Sequence, residues 1–171
     1  MGPALPSDAD ERQRAAQFET LLATVASLLE DEDEWVSAMA TVACELHHAF
    51  EYAHWTGFYR VIAPELLAVG PYQGHHGCLR IPFSRGACGY VARTQKTIRL
   101  AEVDDFEQHI ACSASTRSEL VVPVIDHFGA TLAVVDMDSD LPHAFTAADE
   151  AGLLSLCQEL GRRYGARPAL R

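Results

Sequence analysis

The chain has 171 residues, with 13 Lys and Arg against 24 Asp and Glu, a formal net charge of −11, and 49% hydrophobic residues. That is enough chain for one globular domain to bury roughly 70% of its unfolded surface without staples, and its 22% charged residues argue against disorder or a coiled coil. The acidic balance disfavours nucleic acid and anionic membrane surfaces as partners, because those contacts are made by Lys and Arg. The longest apolar runs, 120–125 and 130–135, are far short of the roughly 18 residues of a membrane span. The first ten residues show neither a basic nor an apolar signal region, so a cytoplasmic protein is expected. An odd five cysteines at irregular spacing in a reducing compartment fit thiol chemistry or burial rather than a disulfide framework.

Taken in chain order, residues 1–10 read as a flexible tail, 11–164 as a single domain and 165–171 as a second tail. Phe18, Leu21, Leu22, Val25, Leu28 and Leu29 recur at helical spacing, and the acidic run Glu30 to Glu34 closes that helix. Trp35, Met39, Val42, Leu46 and Phe50 predict a second helix, packed on the first as a hairpin. Residues 55–62 and 66–70 read as strands joined at Pro64. Glycines and prolines then break the chain from Pro71 to Ala87, although 78–81 can pair as a strand. A short helix is predicted from Gly86 to Arg93, a short strand near 97–100, and an irregular stretch over 102–118. Residues 119–125 and 130–136 form a hairpin around Asp126-His-Phe-Gly129, and a last helix opens at Thr146 with Asp149 three residues on. This order, rich in hairpins and without βαβ crossovers, specifies an α+β fold around an antiparallel sheet.

The cysteines divide into two groups. Cys44 and Cys157 lie in helical apolar patterns and read as small buried hydrophobes, whereas Cys78, Cys88 and Cys112 lie in glycine-rich or irregular segments and can be reactive thiols or filler. His75, His76 and His109 raise the question of zinc. No C-x2-C or H-x3-H half-site is present, so no metal is expected and the histidines read as solvated loop residues. A Cys112–His109 hydrolase pair is conceivable, but sequence proximity says little about spatial pairing.

Asp136 and Asp138, two apart at a strand end, point the same way or serve turn chemistry, and antiparallel counting places Glu119 beside them. Three clustered carboxylates imply a cationic ligand, a shared proton or a hard metal. Trp55 and Tyr59, i and i+4 on a strand, share a face and are core or the wall of a half-wet pocket.

Trp55-Thr-Gly-Phe-Tyr59, Gly70-Pro-Tyr-Gln-Gly74, Cys78-Leu-Arg-Ile-Pro82, Gly86-Ala-Cys-Gly89, His109-Ile-Ala-Cys112, Arg117 to Pro123 and Asp136-Met-Asp-Ser139 together resemble the free methionine-(R)-sulfoxide reductases, which are GAF-domain enzymes. The resemblance runs in order from Trp35 to Leu160. It implies a six-stranded antiparallel sheet flanked by helices, a homodimer, no cofactor, and reduction of free L-methionine (R)-sulfoxide with thioredoxin as electron donor. It further implies that Cys112 is the catalytic cysteine, Cys78 the principal resolving one and Cys88 an additional one, with an oxidised Cys112–Cys78 disulfide. Trp55, Tyr59, Glu119, Asp136 and Asp138 would line the substrate pocket, with Glu119 or Asp138 supplying the catalytic acid. Ser113 stands where the family commonly has Asp, and His54 where it often has Asn. The rival expectation is a non-catalytic GAF module that senses a small ligand.

Overall fold

The structure, a computed structural model, describes residues 2–106 and 115–165. Helix α1 (Glu11–Leu28) is opened by Asp10, whose carboxylate accepts from the Gln13 N–H while the Gln13 side chain accepts from the Asp10 N–H. The segment ahead of it is tied down, since Leu5 forms a parallel bridge with Phe50. Helix α2 (Trp35–Ala49) starts where the Glu34 carboxylate accepts from the N–H groups of Val36 and Ser37. The acidic run 30–34 therefore opens α2 and does not close α1, which ends at Leu28. A carboxylate can satisfy orphan N–H groups only at a helix N-terminus, so the run belongs with the helix that follows it.

Strands β1 (Trp55–Ala63) and β2 (Leu66–Gln73) turn at Pro64-Glu65, with Glu65 at φ 57°. The second strand runs three residues past the expected Gly70. Pro71 is tolerated there because the pairing register shifts between Gly57 and Tyr59, a bulge that needs no N–H from it. Strand β3 (Arg80–Pro82) is shorter than the expected 78–81 and leads into helix α3 (Gly86–Thr94), which Gln95 closes in the left-handed conformation. Strand β4 (Ile98–Leu100) is followed by a 3-10 turn at Val103–Asp105, and β5 (Ser118–Ile125) and β6 (Thr131–Ser139) form the expected hairpin. Helix α4 (Ala147–Tyr164) carries the Thr146–Asp149 capping box that the sequence shows.

The sheet order is β3-β2-β1-β6-β5-β4, all pairs antiparallel. The two hairpins β1–β2 and β5–β6 are thus joined through a central β1–β6 pair. Alternation along these strands sends residues to two different faces. Phe58, Leu120, Val122, Val124, Ala133, Val135 and Met137 pack under α1, α2 and α4 in the main core. Burying each of the larger of these side chains stabilises by about 1.5–3 kcal/mol. The opposite face carries Trp55, Tyr59, Leu67, Val121 and Val134 in a smaller cluster with α3.

A buried polar knot ties the N-terminus to α4. Arg14 pairs with Asp149 at 2.5 Å, Tyr52 donates to the other Asp149 oxygen at 2.6 Å, and the Arg14 guanidinium lies over the Tyr52 ring at 4.4 Å. Each charge in this knot has its partner, the condition under which buried ions are tolerated.

Candidate active site

The carboxylates, the aromatic pair and Cys88 meet on the α3 side of the sheet. In the β5–β6 register Glu119 stands opposite Asp138 and Val121 opposite Asp136, and in the β1–β6 register Trp55 stands opposite Asp138 and Gly57 opposite Asp136. Trp55, Asp138 and Glu119 therefore form one transverse row, with Gly57, Asp136 and Val121 forming the next row on the same face. Period-2 alternation did this, and it could be read from the spacing alone.

Glu119 and Asp136 are buried and Asp138 half-buried. Burial first, and then the charge of Asp138, holds the Glu119 carboxyl well above the usual carboxylate range. Asp136 is raised in the same way, by burial and then by Asp138 and Glu119. Burial lifts Asp138 to about 7. Carboxyl groups that keep protons near neutral pH can act as general acids.

Cys88 lies in α3, the short glycine-rich helix expected there, with its thiol donating to Asp136 Oδ2 at 3.3 Å. It is 3% exposed, and burial followed by the charges of Asp136 and Glu119 pushes the thiol up. Among the described residues, Cys88, Glu119 and Asp136 are the group that brings three metal-ligand atoms within 4.8 Å of one another. Two of the three are already joined by the Cys88 hydrogen bond.

The Trp55 ring stacks between Tyr59, at 5.7 Å between centroids, and Tyr72, at 5.3 Å. Its indole N–H donates to the His75 carbonyl at 2.9 Å. Both Trp55 and Tyr59 are buried, so their wall is less wet than the sequence suggests. The reason is the chain from Gly74 to Cys78, which lies over them. A Cβ on Gly77 would stand 2.7 Å from the Tyr59 hydroxyl and 3.2 Å from the Trp55 ring. Only a bare backbone fits there. Gly74, at φ 104°, makes the turn that brings the segment back.

Tyr72 and Gly57 belong to this wall and were not singled out from the sequence. A Cβ on Gly57 would meet the Tyr72 Cβ at 2.4 Å and the Trp55 ring at 2.7 Å. A glycine inside an aromatic-rich strand is the signal that could have pointed to a ring lying across the backbone.

Cys78 is half-buried and disulfide-bonded, while Cys44, Cys88 and Cys157 are free. Cys157 is buried as expected. Cys44 is only half-buried, with its sulfur 3.7 Å from His48 Nδ1, because it sits at the edge of the apolar stripe of α2. Cys112, with His109 and Ser113, lies outside the described residues.

A six-stranded antiparallel sheet with helices packed on one face, and a polar, loop-covered site on the other, defines a GAF fold. The sequence matches the GAF domain family over residues 14–164, and the chain belongs to that family. It is 34% identical over 134 residues to the free methionine-R-sulfoxide reductase of Escherichia coli, which covers 78% of this chain and 80% of the relative. GAF domain-containing protein A of Dictyostelium discoideum is 35% identical over 144 residues, 84% of this chain and 90% of its own. Among solved structures, free methionine-R-sulfoxide reductase from Neisseria meningitidis, in complex with its substrate, superposes with a TM-score of 0.85 at 36% identity, covering 97% of each chain. No helix among the described residues is long and apolar enough to cross a membrane.

Proposed function

We propose that the chain reduces free L-methionine (R)-sulfoxide to methionine by thiol chemistry. The observation that carries this reading is the convergence of three proton-holding carboxyl groups, Glu119, Asp136 and Asp138, with the Trp55–Tyr59 wall beneath a disulfide-bonded Cys78. The relatives named as free methionine-R-sulfoxide reductases support it.

In this reading the Cys112 thiolate attacks the sulfoxide sulfur while Glu119 or Asp138 gives a proton to the oxygen. The oxygen passes to the cysteine, methionine leaves, and a sulfenic acid remains. The Cys78 thiol condenses with it, releasing water and forming a disulfide, and a thioredoxin-type dithiol returns both cysteines to thiols. The free state of Cys44, Cys88 and Cys157 favours Cys112 as the partner of Cys78. Cys88, buried and hydrogen-bonded to Asp136, is poorly placed to form a thiolate, so its part in resolution is secondary.

The carboxylate cluster takes the substrate ammonium, and the aromatic wall takes its methylthio end. The working form is a homodimer, which sedimentation of the purified chain tests.

The test of the function is NADPH consumption coupled through thioredoxin reductase and thioredoxin, with free methionine sulfoxide as substrate. Turnover restricted to the R epimer is the expected result. Tight binding of a small ligand with no turnover would leave the sensor module as the better account.

A further inference from the structure

Within a chain of net charge −11, no acidic residue occurs between Glu65 and Glu102, while Arg80 and Arg85 do, as does Arg93, whose guanidinium donates to the Phe83 carbonyl just past β3. Arg80, the first residue of β3, and Arg85, just past its end, are exposed, as are His75 and His76 earlier in the same segment. Leu79, adjacent to the disulfide-bonded Cys78, is 72% exposed, and the Arg80 guanidinium rests against its carbonyl at 3.1 Å. Strand β3 is the outermost strand of the sheet. The Leu79 carbonyl and the Phe83 N–H are taken by Val69 and Glu65 on the β2 side, so the backbone groups of the intervening Arg80 face the edge away from β2, which no other described strand covers. A disulfide cysteine, a bare leucine and a free backbone edge are thus consecutive in the chain.

We propose that Cys78-Leu79-Arg80 is the docking surface for an acidic-faced dithiol protein of the thioredoxin type, which attacks the Cys78 sulfur. This rests on the reductase reading above and adds where, and on which sulfur, the reductant acts. Leu79 enters an apolar depression beside the reductant's reactive thiol, Arg80 aligns a main-chain hydrogen bond, and the basic residues steer approach. The reductant's thiolate forms a bond to Cys78 Sγ, and the bond from Cys78 to its partner sulfur breaks. That sulfur leaves as a thiolate and takes a proton. The reductant's second thiol then displaces Cys78, so two electrons pass to the chain and the reductant ends as a disulfide.

The test uses the oxidised full chain without methionine sulfoxide, following disulfide reduction by reduced thioredoxin and, separately, by dithiothreitol. This readout is independent of whether the chain turns over the sulfoxide, which the coupled assay decides. Leu79→Asp should slow reduction by thioredoxin roughly tenfold and leave the dithiothreitol rate unchanged. Arg80→Glu should slow the thioredoxin rate and reduce its dependence on salt. Thioredoxin with its second cysteine replaced by Ser should be trapped on Cys78 in peptide maps. Unchanged thioredoxin rates in both variants, equal slowing with both reductants, or trapping on another cysteine would each overturn the proposal. So would a change in sedimentation of Leu79→Asp that accounts for the slowing, which would make the patch an interface between copies of the chain.

Discussion

The hydroxyl of Tyr59, on β1, lies directly under the backbone of Gly77, where a Cβ on that glycine would stand 2.7 Å from it, one residue before Cys78. Burial, then the Asp136 charge, raises the Tyr59 phenol, so the hydroxyl stays neutral beneath this segment. The wall of the pocket is therefore also the support for the cysteine above it. Tyr59→Phe removes the hydroxyl on which the Gly77 backbone rests, loosening the segment that carries Cys78. The first equivalent of methionine should form nearly as fast as in the parent, with disulfide closure slowed about 2–10-fold, as quenched-flow thiol counting would show. Gly77→Ala, whose methyl would collide with the Tyr59 hydroxyl, should slow the same step more. Unaltered closure in both would separate Tyr59 from Cys78.

The two assigned cysteines are distinguished by where the reaction stops. Cys112→Ser should lose all turnover while still binding substrate, whereas Cys78→Ser should release about one methionine per site and then stall with thioredoxin. Full steady-state turnover by Cys78→Ser would move the resolving role to Cys88. Peptide maps of the oxidised chain should show Cys78 joined to Cys112, with Cys44 and Cys157 free.

Substrate choice follows from the carboxylates. A free amino acid brings an ammonium to Glu119, Asp136 and Asp138, and an acylated nitrogen does not. With the ammonium bound a carboxyl of the cluster ionises against it, and the acylated substrate forfeits that charge-assisted pair, about 1.5–3 kcal/mol or a factor of roughly ten to a hundred. N-acetylmethionine sulfoxide should accordingly show kcat/KM lower by at least that order, and equal values would refute the ammonium role. Glu119→Gln and Asp138→Asn should each slow single-turnover reduction.

The same cluster sets a pH dependence of stability. Asp138 sits at about 7 in the folded chain against 3.8 for an unperturbed aspartate, so between these values the folded state holds the extra proton. Stability from this group is full at low pH, falls as pH rises toward 7, and is lost above it. The ligand-free chain should therefore melt lower at pH 8 than at pH 5.5. Asp138→Asn should flatten that decline, with each kcal/mol regained appearing as about 2–4 °C in Tm. A steeper decline in the variant, by differential scanning fluorimetry, would contradict the assignment.

Much of this was legible because it depends on short-range rules. The i, i+2 spacing of Asp136 and Asp138 and the tight Asp126–Gly129 turn fix where Glu119 falls, and hairpin geometry does the rest. Thr146 and Asp149 announced their capping box in the same way. Nothing local announced that Asp149 also receives Arg14 and Tyr52, since those partners lie 135 and 97 residues away and meet it only once α1 packs on α4. The direction of Cys88 was hidden for a similar reason. Its thiol reaches Asp136 because α3 lies across β6, a docking that no spacing within Gly86–Thr94 encodes.

Asp136 and Asp138 alternate along β6 with Val135 and Met137, which face the helices. A shift of β6 by one residue against its neighbours would exchange the two sets, driving carboxylates into the aliphatic layer and putting Val135 and Met137 where the acids stand. Misaligned hairpins would thus bury carboxyl groups among aliphatic side chains with no hydrogen-bond partner, a cost of roughly 2–7 kcal/mol for each group that disfavours the shifted register. The acids that hold protons for chemistry also act as an alignment key for the sheet. A variant with both replaced by Val would keep the outline of the fold while admitting more than one strand alignment.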